Sequence, residues 1–155
     1  MIPAGDLVIL DTNILIHLLR SDSCGTEIER QFSLTSRISR PLISLMTRGE
    51  ILAFAKKCNW GDRKLTSLDA LLQHLVIVNP QQGSIVQTYA SIDHYSEKVC
   101  KPARPLGQND MWIAATAAET KAWLLTTDGD FDHLTPNFIR RIKCDSHTGS
   151  EIARS

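Results

Sequence analysis

The sequence predicts an α/β fold with a mainly parallel central sheet of four to five strands flanked by helices. Short, continuously apolar runs, of the kind found in strands buried on both faces, alternate with longer segments whose apolar residues follow helical spacing. Such alternation favours parallel strands joined by right-handed crossovers. A chain of 155 residues is also long enough to bury a sizeable core in one domain.

The strands are predicted from short apolar runs. They cover residues 7–10, 41–45, 75–78, 123–127 and 138–142. The last eleven residues, 145–155, are polar and are predicted to form a frayed tail, which leaves residues 1–144 as the folded domain.

The helices are predicted from apolar spacing and from their flanking residues. They cover residues 14–19, 24–34, 62–74, 84–99 and 109–121, together with a segment that includes 51–55. Thr47 and Glu50 have the spacing of a capping box, so Thr47 is predicted to cap the helix that contains 51–55. Pro102, Pro105 and Gly107 indicate a loop over 101–107.

The composition excludes several classes of protein. Seventeen basic and seventeen acidic residues balance, so nucleic-acid binding would need local basic patches. The four cysteines lack a C-x-x-C pair and are predicted to be reduced thiols of a cytoplasmic protein. Asp11, Asn13 and His17 interrupt the apolar stretch at 7–19, so we expect neither a signal peptide nor a membrane-spanning helix.

Four acidic residues follow or flank the predicted strands. Asp11 ends the first strand and Asp128 follows the fourth, while Glu50 and Asp110 occupy the first turns of predicted helices. In open α/β sheets, ligands bind beyond the carboxyl ends of the strands. The four carboxylates are therefore expected to meet at one rim of the sheet.

Carboxylates crowded without a counter-charge raise one another's pKa, so such a cluster calls for a cation. Mg²⁺ or Mn²⁺ takes oxygen ligands and is completed by water and phosphate oxygens, which indicates phosphodiester cleavage. Each acid alone also has a local explanation, as a helix cap, a capping-box partner, a helix-dipole charge or a turn residue. The prediction depends on all four meeting at one rim.

Residues 127–132 read Thr-Asp-Gly-Asp-Phe-Asp, and from Asp128 they begin like a calcium-binding loop. The required glycine is replaced by His133 and the required glutamate by Ile139, so calcium sensing is excluded. A dehalogenase-like phosphatase would need an acid where Asn13 stands, and a receiver domain would need an aspartate where Asn79 stands.

These motifs together resemble the PIN-domain family, in particular the VapC-type toxins of toxin–antitoxin pairs. The matching pieces are Leu10-Asp11-Thr12-Asn13, Ser44 with Thr47 and Glu50, Asn109-Asp110 before an alanine-rich helix, and residues 126–131. The resemblance covers residues 7–142. It implies a single three-layer α/β/α domain that hydrolyses RNA.

The resemblance also implies a set of site residues and partners. Mg²⁺ or Mn²⁺ would be bound by Asp11, Glu50, Asp110 and a fourth acid, either Asp128, which is favoured, or Asp130. Asn13 and Thr127 would orient ligands or water. Homodimerisation and silencing by a small antitoxin are expected. An RNA-processing nuclease and a non-catalytic binding module remain as alternatives.

Phosphate contacts are predicted from two groups of basic residues. One group is Lys56, Lys57, Arg63 and Lys64, and the other is Lys98, Lys101 and Arg104.

Overall fold

The computed structural model describes residues 2–155 and contains a six-stranded sheet. In chain order the strands are β1 (Val8–Leu10), β2 (Leu42–Ser44), β3 (Val76–Val78), β4 (Trp123–Thr126), β5 (Arg140–Cys144) and β6 (Glu151–Arg154). They lie in the order β3-β2-β1-β4-β5-β6, and β6 alone is antiparallel to its neighbour. The predicted parallel sheet is confirmed, with β1 and β4 side by side at its centre.

The helices agree closely with the predicted segments. They are α1 (Thr12–Arg20), α2 (Ser23–Phe32), α3 (Leu45–Lys57), α4 (Asp62–His74), α5 (Ile85–His94) and α6 (Gln108–Thr120). The segment predicted as one helix over 84–99 is divided, since α5 continues into a π-helical turn at Tyr95–Val99. No helix within residues 2–155 is long and apolar enough to cross a membrane.

The sheet separates two apolar cores. Val8 and Leu10 of β1 point into a core formed with α1 to α4, whereas Ile9 between them points into a core formed with α5 and α6. This alternation follows from the period of two along a strand. Helices therefore cover both faces, and the predicted three-layer α/β/α architecture is confirmed.

The prediction of a frayed tail over 145–155 is wrong. Residues 151–154 form β6, and Gly149 in the preceding turn accepts a hydrogen bond from the Gln31 amide of α2 at 2.9 Å. The sheet thus has one strand more than the upper end of the predicted range. In this edge strand only alternate residues are partly buried, and none is fully buried, so polar residues are tolerated there. Its pairing with β5 depends on backbone hydrogen bonds, which no pattern of apolar residues in the sequence reveals.

The predicted capping box is also wrong. The helix α3 begins earlier, at Leu45, and its cap is Ser44, whose hydroxyl accepts from the Met46 N–H at 3.2 Å. Thr47 is fully buried inside the helix, and Glu50 lies in the second turn rather than the first. All four cysteines are free thiols, as predicted.

Candidate active site

The candidate site lies where the central strands end. Asp11 follows β1 and caps α1, and Asp128 lies two residues beyond Thr126, the last residue of β4. Because β1 and β4 are parallel neighbours, both aspartates lie at the carboxyl edge of the sheet. Asp110 in the first turn of α6 and Glu50 of α3 face the same edge and line one cleft.

Asp11 is the most buried of these acids, with 5% of its surface exposed. One carboxylate oxygen, Oδ1, accepts from the Thr12 N–H at 2.7 Å, which is the helix cap. The other, Oδ2, accepts from the Asn13 amide at 2.9 Å and from the Thr126 hydroxyl at 2.6 Å. Asp11 therefore both caps α1 and presents a carboxylate held in a fixed orientation.

The Asp128–Asp130 loop is fastened to Asp11 through shared partners. The Asp128 N–H donates to the Thr126 hydroxyl at 2.9 Å, so this hydroxyl joins the two aspartates. The Thr127 N–H donates to the Asn13 side-chain oxygen at 3.4 Å. Asn13 thus contacts both the acid and the loop, and Thr127 contributes through its backbone. Thr126 was not predicted as a site residue.

Glu50 and Asp110 are joined through their neighbour Asn109. The Asn109 amide donates to Glu50 Oε2, which connects α3 to the start of α6. Asn109 was predicted as part of a motif but without this contact. It holds Glu50 toward the edge where Asp110 lies, so both residues of the Asn109-Asp110 pair contribute to the site.

Burial and neighbouring negative charges raise the pKa values of two of the acids, Asp110 and Asp11. Burial, followed by the charges of Asp11, Asp128, Asp130 and Glu50, raises the pKa of Asp110 to about 7. Burial also raises the pKa of Asp11 to about 6, despite the hydrogen bonds from Thr126 and Thr12, and the charges of Asp128 and Glu50 add to the rise. In the part of the chain described, no cationic side chain offsets either shift.

The donor set fits a hard divalent cation. All five side chains offer only carboxylate oxygens, which Mg²⁺ and Mn²⁺ prefer, and the raised pKa values of Asp11 and Asp110 reflect burial together with neighbouring negative charge. Across residues 2–155, no three of these carboxylates bring oxygens within 4.8 Å of one another.

Asp128 and Asp130 differ in their relation to the other acids. Asp128 is partly buried and its charge acts on both Asp11 and Asp110, whereas Asp130 is exposed and its charge acts on Asp110. The Asp130 N–H donates to Asp128 Oδ1 at 3.0 Å, which closes the loop. Asp128 therefore remains the favoured fourth acid.

The predicted basic groups do not contribute to the pKa shifts of the buried acids. Lys64 lies over the ring of Trp60 at 4.5 Å, and Arg104 acts on the pKa of His133 instead. A lysine that was not predicted does reach the rim: Lys143 pairs with Thr126 across β4 and β5. Its Nζ lies 3.8 Å from Asp132 Oδ2, beside the Asp128–Asp130 loop.

The fold and the rim of carboxylates define an α/β domain with a group of acidic side chains at the carboxyl edge of a parallel sheet. The chain belongs to the PIN domain family, whose sequence model matches residues 8–135.

Named relatives and solved structures agree with this assignment. The chain is similar to Ribonuclease VapC1 of Haemophilus influenzae strain R2866, with 25% identity over 126 residues that cover 77% of this chain and 85% of the relative. Its fold matches a DNA-bound VapBC from Salmonella typhimurium with a TM-score of 0.72 and 22% identity, covering 89% of this chain and 97% of the other. It also matches VapBC-1 of nontypeable Haemophilus influenzae, with a TM-score of 0.71 and 24% identity over 88% and 97% of the two chains.

Proposed function

We propose that this chain is a Mg²⁺- or Mn²⁺-dependent endoribonuclease that hydrolyses RNA phosphodiester bonds. The observation that supports this most strongly is the group of carboxylates at the carboxyl edge of the sheet, in which burial and neighbouring negative charges raise the pKa values of Asp11 and Asp110. Oxygen ligands of that kind suit ions that activate water and bind phosphate oxygens. The relatives named as ribonucleases support RNA as the substrate.

In this proposal, Asp11, Glu50, Asp110 and Asp128 are the catalytic acids and bind the metal, with Asp130 as an additional or alternative ligand. When bound, the ion supplies a water of lowered pKa and neutralises charge on the phosphate. Asp11 and Asp110 must lose their protons to bind it, and their raised pKa values make this a step at near-neutral pH.

In the proposed site, Asn13 and Thr127 orient the metal-binding acids and do not bind the metal themselves. Asn13 holds Asp11 Oδ2 with its amide nitrogen and the Thr127 N–H with its oxygen, so it fixes the distance between the acid and the loop. Partners of this kind commonly change metal affinity about 10- to 100-fold when removed.

We further propose that the chain is the toxin of a toxin–antitoxin pair, that it works in the cytoplasm as a homodimer, and that a small antitoxin silences it. The similarity to solved toxin–antitoxin complexes supports the toxin role and the antitoxin partner. Besides the VapBC structures, they include a toxin–antitoxin complex from Klebsiella pneumoniae, with a TM-score of 0.62 and 25% identity over 83% of this chain and 92% of that one.

Asp11→Asn tests the catalytic proposal. We expect RNA cleavage with Mn²⁺ or Mg²⁺ to stop on adding EDTA and to fall about 1000-fold in Asp11→Asn, a barrier increase of about 4 kcal/mol. Asp69→Asn, which removes an exposed acid on α4 that is not one of the proposed site residues, is the matched control and should retain activity. Cleavage that survives both EDTA and Asp11→Asn contradicts the metal mechanism.

Expression in cells tests the toxin proposal separately. Wild-type protein should arrest growth, Asp11→Asn should not, and co-expression of a short reading frame adjoining the gene should restore growth. Normal growth with a fully active enzyme would instead favour an RNA-processing role, and RNA binding without cleavage would favour a non-catalytic module.

A further inference from the structure

A second group of metal-ligating side chains lies at the corner between α1 and α2. His17 belongs to the last part of α1, Asp22 caps α2, and Cys24 is in the first turn of α2. One ligand atom from each, a ring nitrogen, a carboxylate oxygen and the sulfur, lies within 4.8 Å of the other two. His17 is six positions along the chain from Asp11, a rise of about 9 Å on a helix, so the group is separate from the acidic rim.

We propose that His17, Asp22 and Cys24 form a zinc-binding site. A set of one nitrogen, one oxygen and one sulfur ligand suits Zn²⁺, which accepts all three in tetrahedral sites, and does not suit Mg²⁺, which prefers oxygen alone. In the fold, His17 Nδ1 and Asp22 Oδ2 are already 2.8 Å apart, joined by a hydrogen bond. An ion would take the place of the proton between them, with the ring left as the neutral tautomer that carries its proton on Nε2, and neither side chain would need to move far.

The geometry around the three ligands is fixed by close backbone packing. Asp22 Oδ1 accepts from the Gly25 N–H at 2.8 Å, which leaves Oδ2 directed at His17. A Cβ on Gly25 would lie 2.6 Å from the His17 carbonyl carbon, and one on Gly149 would lie 3.1 Å from the Cys24 carbonyl carbon. Two glycines therefore allow α1, the start of α2 and the C-terminal turn to meet at Cys24, and the site is formed before any ion binds.

The thiol of Cys24 has no strong partner to lose. Its Sγ donates to the Asp145 carbonyl at 3.6 Å, a long contact for a weak donor. Burial and the neighbouring carboxylates raise its pKa, so the thiol is protonated when no cation is present. Binding would release this proton to water, and the resulting thiolate, the Asp22 carboxylate, neutral His17 and Zn²⁺ sum to zero charge.

An ion and a water molecule, as fourth ligand, can reach the proposed site from the side of Asp22. The Asp22 side chain is 35% exposed and that of His17 is 17% exposed, whereas Cys24 is buried. A water can therefore complete a tetrahedral shell from that side. Because Cys24 packs against the turn before β6, a bound ion would fasten α1 and α2 beside the C-terminal strand and stabilise the fold.

Cobalt spectroscopy on the full-length Asp11→Asn protein tests the site, because this variant weakens binding at the acidic rim. Co²⁺ bound to a thiolate gives a near-ultraviolet charge-transfer band that an oxygen-only site cannot give. We expect this band to appear, to disappear when Zn²⁺ is added and to be lost in Cys24→Ser. Cys58→Ser, which removes an exposed cysteine, is the matched control and should retain it. Absence of the band, or its loss in Cys58→Ser but not in Cys24→Ser, overturns the proposal.

Thermal unfolding gives an independent readout that does not depend on Cys24. Zn²⁺ at one hundred times its dissociation constant should raise the Tm by about 5 to 10 °C, and His17→Ala should remove most of this rise. Equal rises in both proteins contradict the site even if Cys24→Ser fails to fold. Neither readout uses RNA cleavage, so failure here leaves the proposed ribonuclease untouched.

Discussion

The hydroxyl of Thr126 contacts both Asp11 and the Asp128–Asp130 loop of the candidate active site. It donates to Asp11 Oδ2 and accepts from the Asp128 N–H. In Thr126→Val, the shape is kept but Asp11 loses a hydrogen bond that lowers its pKa. We expect the Mn²⁺ concentration for half-maximal cleavage to rise about 10-fold and the free energy of unfolding to fall by about 1 to 2 kcal/mol.

Thr126→Ser separates the hydroxyl from the side-chain shape. It retains the hydroxyl and should keep near-normal metal dependence, although it loses a buried methyl group. If Thr126→Val keeps the metal dependence of the wild type while Thr126→Ser changes it, the methyl group is important and the hydroxyl is not.

Some residues of the candidate site could be predicted from the sequence and others could not. Asp11 and Asp128 could be predicted because each follows an apolar strand, and the order of parallel strands then brings them to one edge. Thr126 and Lys143 could not, since threonine is ordinary in a strand and a lone lysine is ordinary on a surface. The hydrogen bonds of Thr126 with Asp11 and Asp128, and the pairing of Thr126 with Lys143 across β4 and β5, appear only in the folded chain.

At the scale of the element, the start of α3 decides where Glu50 lies. Ser44 caps the helix, whereas the Thr47 hydroxyl is buried without a hydrogen-bond partner. Ser44→Ala should therefore lower the free energy of unfolding by about 1 kcal/mol. Thr47→Val, which replaces an unpaired hydroxyl with a methyl group, should leave it unchanged or raise it slightly. Urea unfolding of the two variants distinguishes a cap at Ser44 from a capping box at Thr47. With a capping box, Thr47→Val would be the more destabilising of the two substitutions.

The turn before β6 should be as sensitive as a core position. Gly149 has φ +77, and a Cβ there would lie within 3.1 Å of Cys24 backbone atoms. Gly149→Ala should lower the free energy of unfolding by about 2 kcal/mol or more, because it combines a strained φ with a clash. Gly5→Ala, at a position with open space around it, is the control for thermal unfolding. Equal Tm values for both variants would show that the C-terminal strand is loosely attached.

Elements with a buried face could be predicted, and those without one could not. The strands β1 and β4 and the helix α6 contain continuous or periodic apolar residues because they lie in the two cores. The edge strand β6 has no residue that is fully buried, and its partners are backbone groups of β5. The strand β6 pairs with the free edge of β5, and this edge exists only once the rest of the sheet has assembled.

At the scale of the whole molecule, balanced net charge conceals a local excess of negative charge. The chain has seventeen acidic and seventeen basic residues, yet the rim gathers five carboxylates, and no cation among the described residues offsets the shifts of Asp11 and Asp110. The protein therefore carries an electrostatic cost in its site that the remainder of the fold must outweigh. The amino-acid composition could not reveal this electrostatic cost, because the carboxylates become neighbours only when the parallel strands pair in the folded sheet.

The dependence of stability on pH should report this cost directly. The folded pKa values of Asp11 and Asp110, about 6 and about 7, lie above the ordinary value of 3.8, so the folded state binds protons more tightly than the unfolded state. The resulting stabilisation is complete at low pH and is lost as the pH rises through the folded pKa values. Between pH 5 and pH 8, metal-free wild type should lose about 1 to 2 kcal/mol more of its free energy of unfolding than Asp110→Asn does.

Urea unfolding in EDTA at the two pH values measures this difference, with Asp69→Asn as a variant that should follow the wild type. Adding Mn²⁺ at pH 8 should stabilise the wild type and have a smaller effect on Asp110→Asn, because a cation compensates the same charges that a proton compensates at pH 5. If wild type and Asp110→Asn lose equal stability between pH 5 and pH 8, burial and the neighbouring carboxylates do not raise the pKa of Asp110 in the folded state.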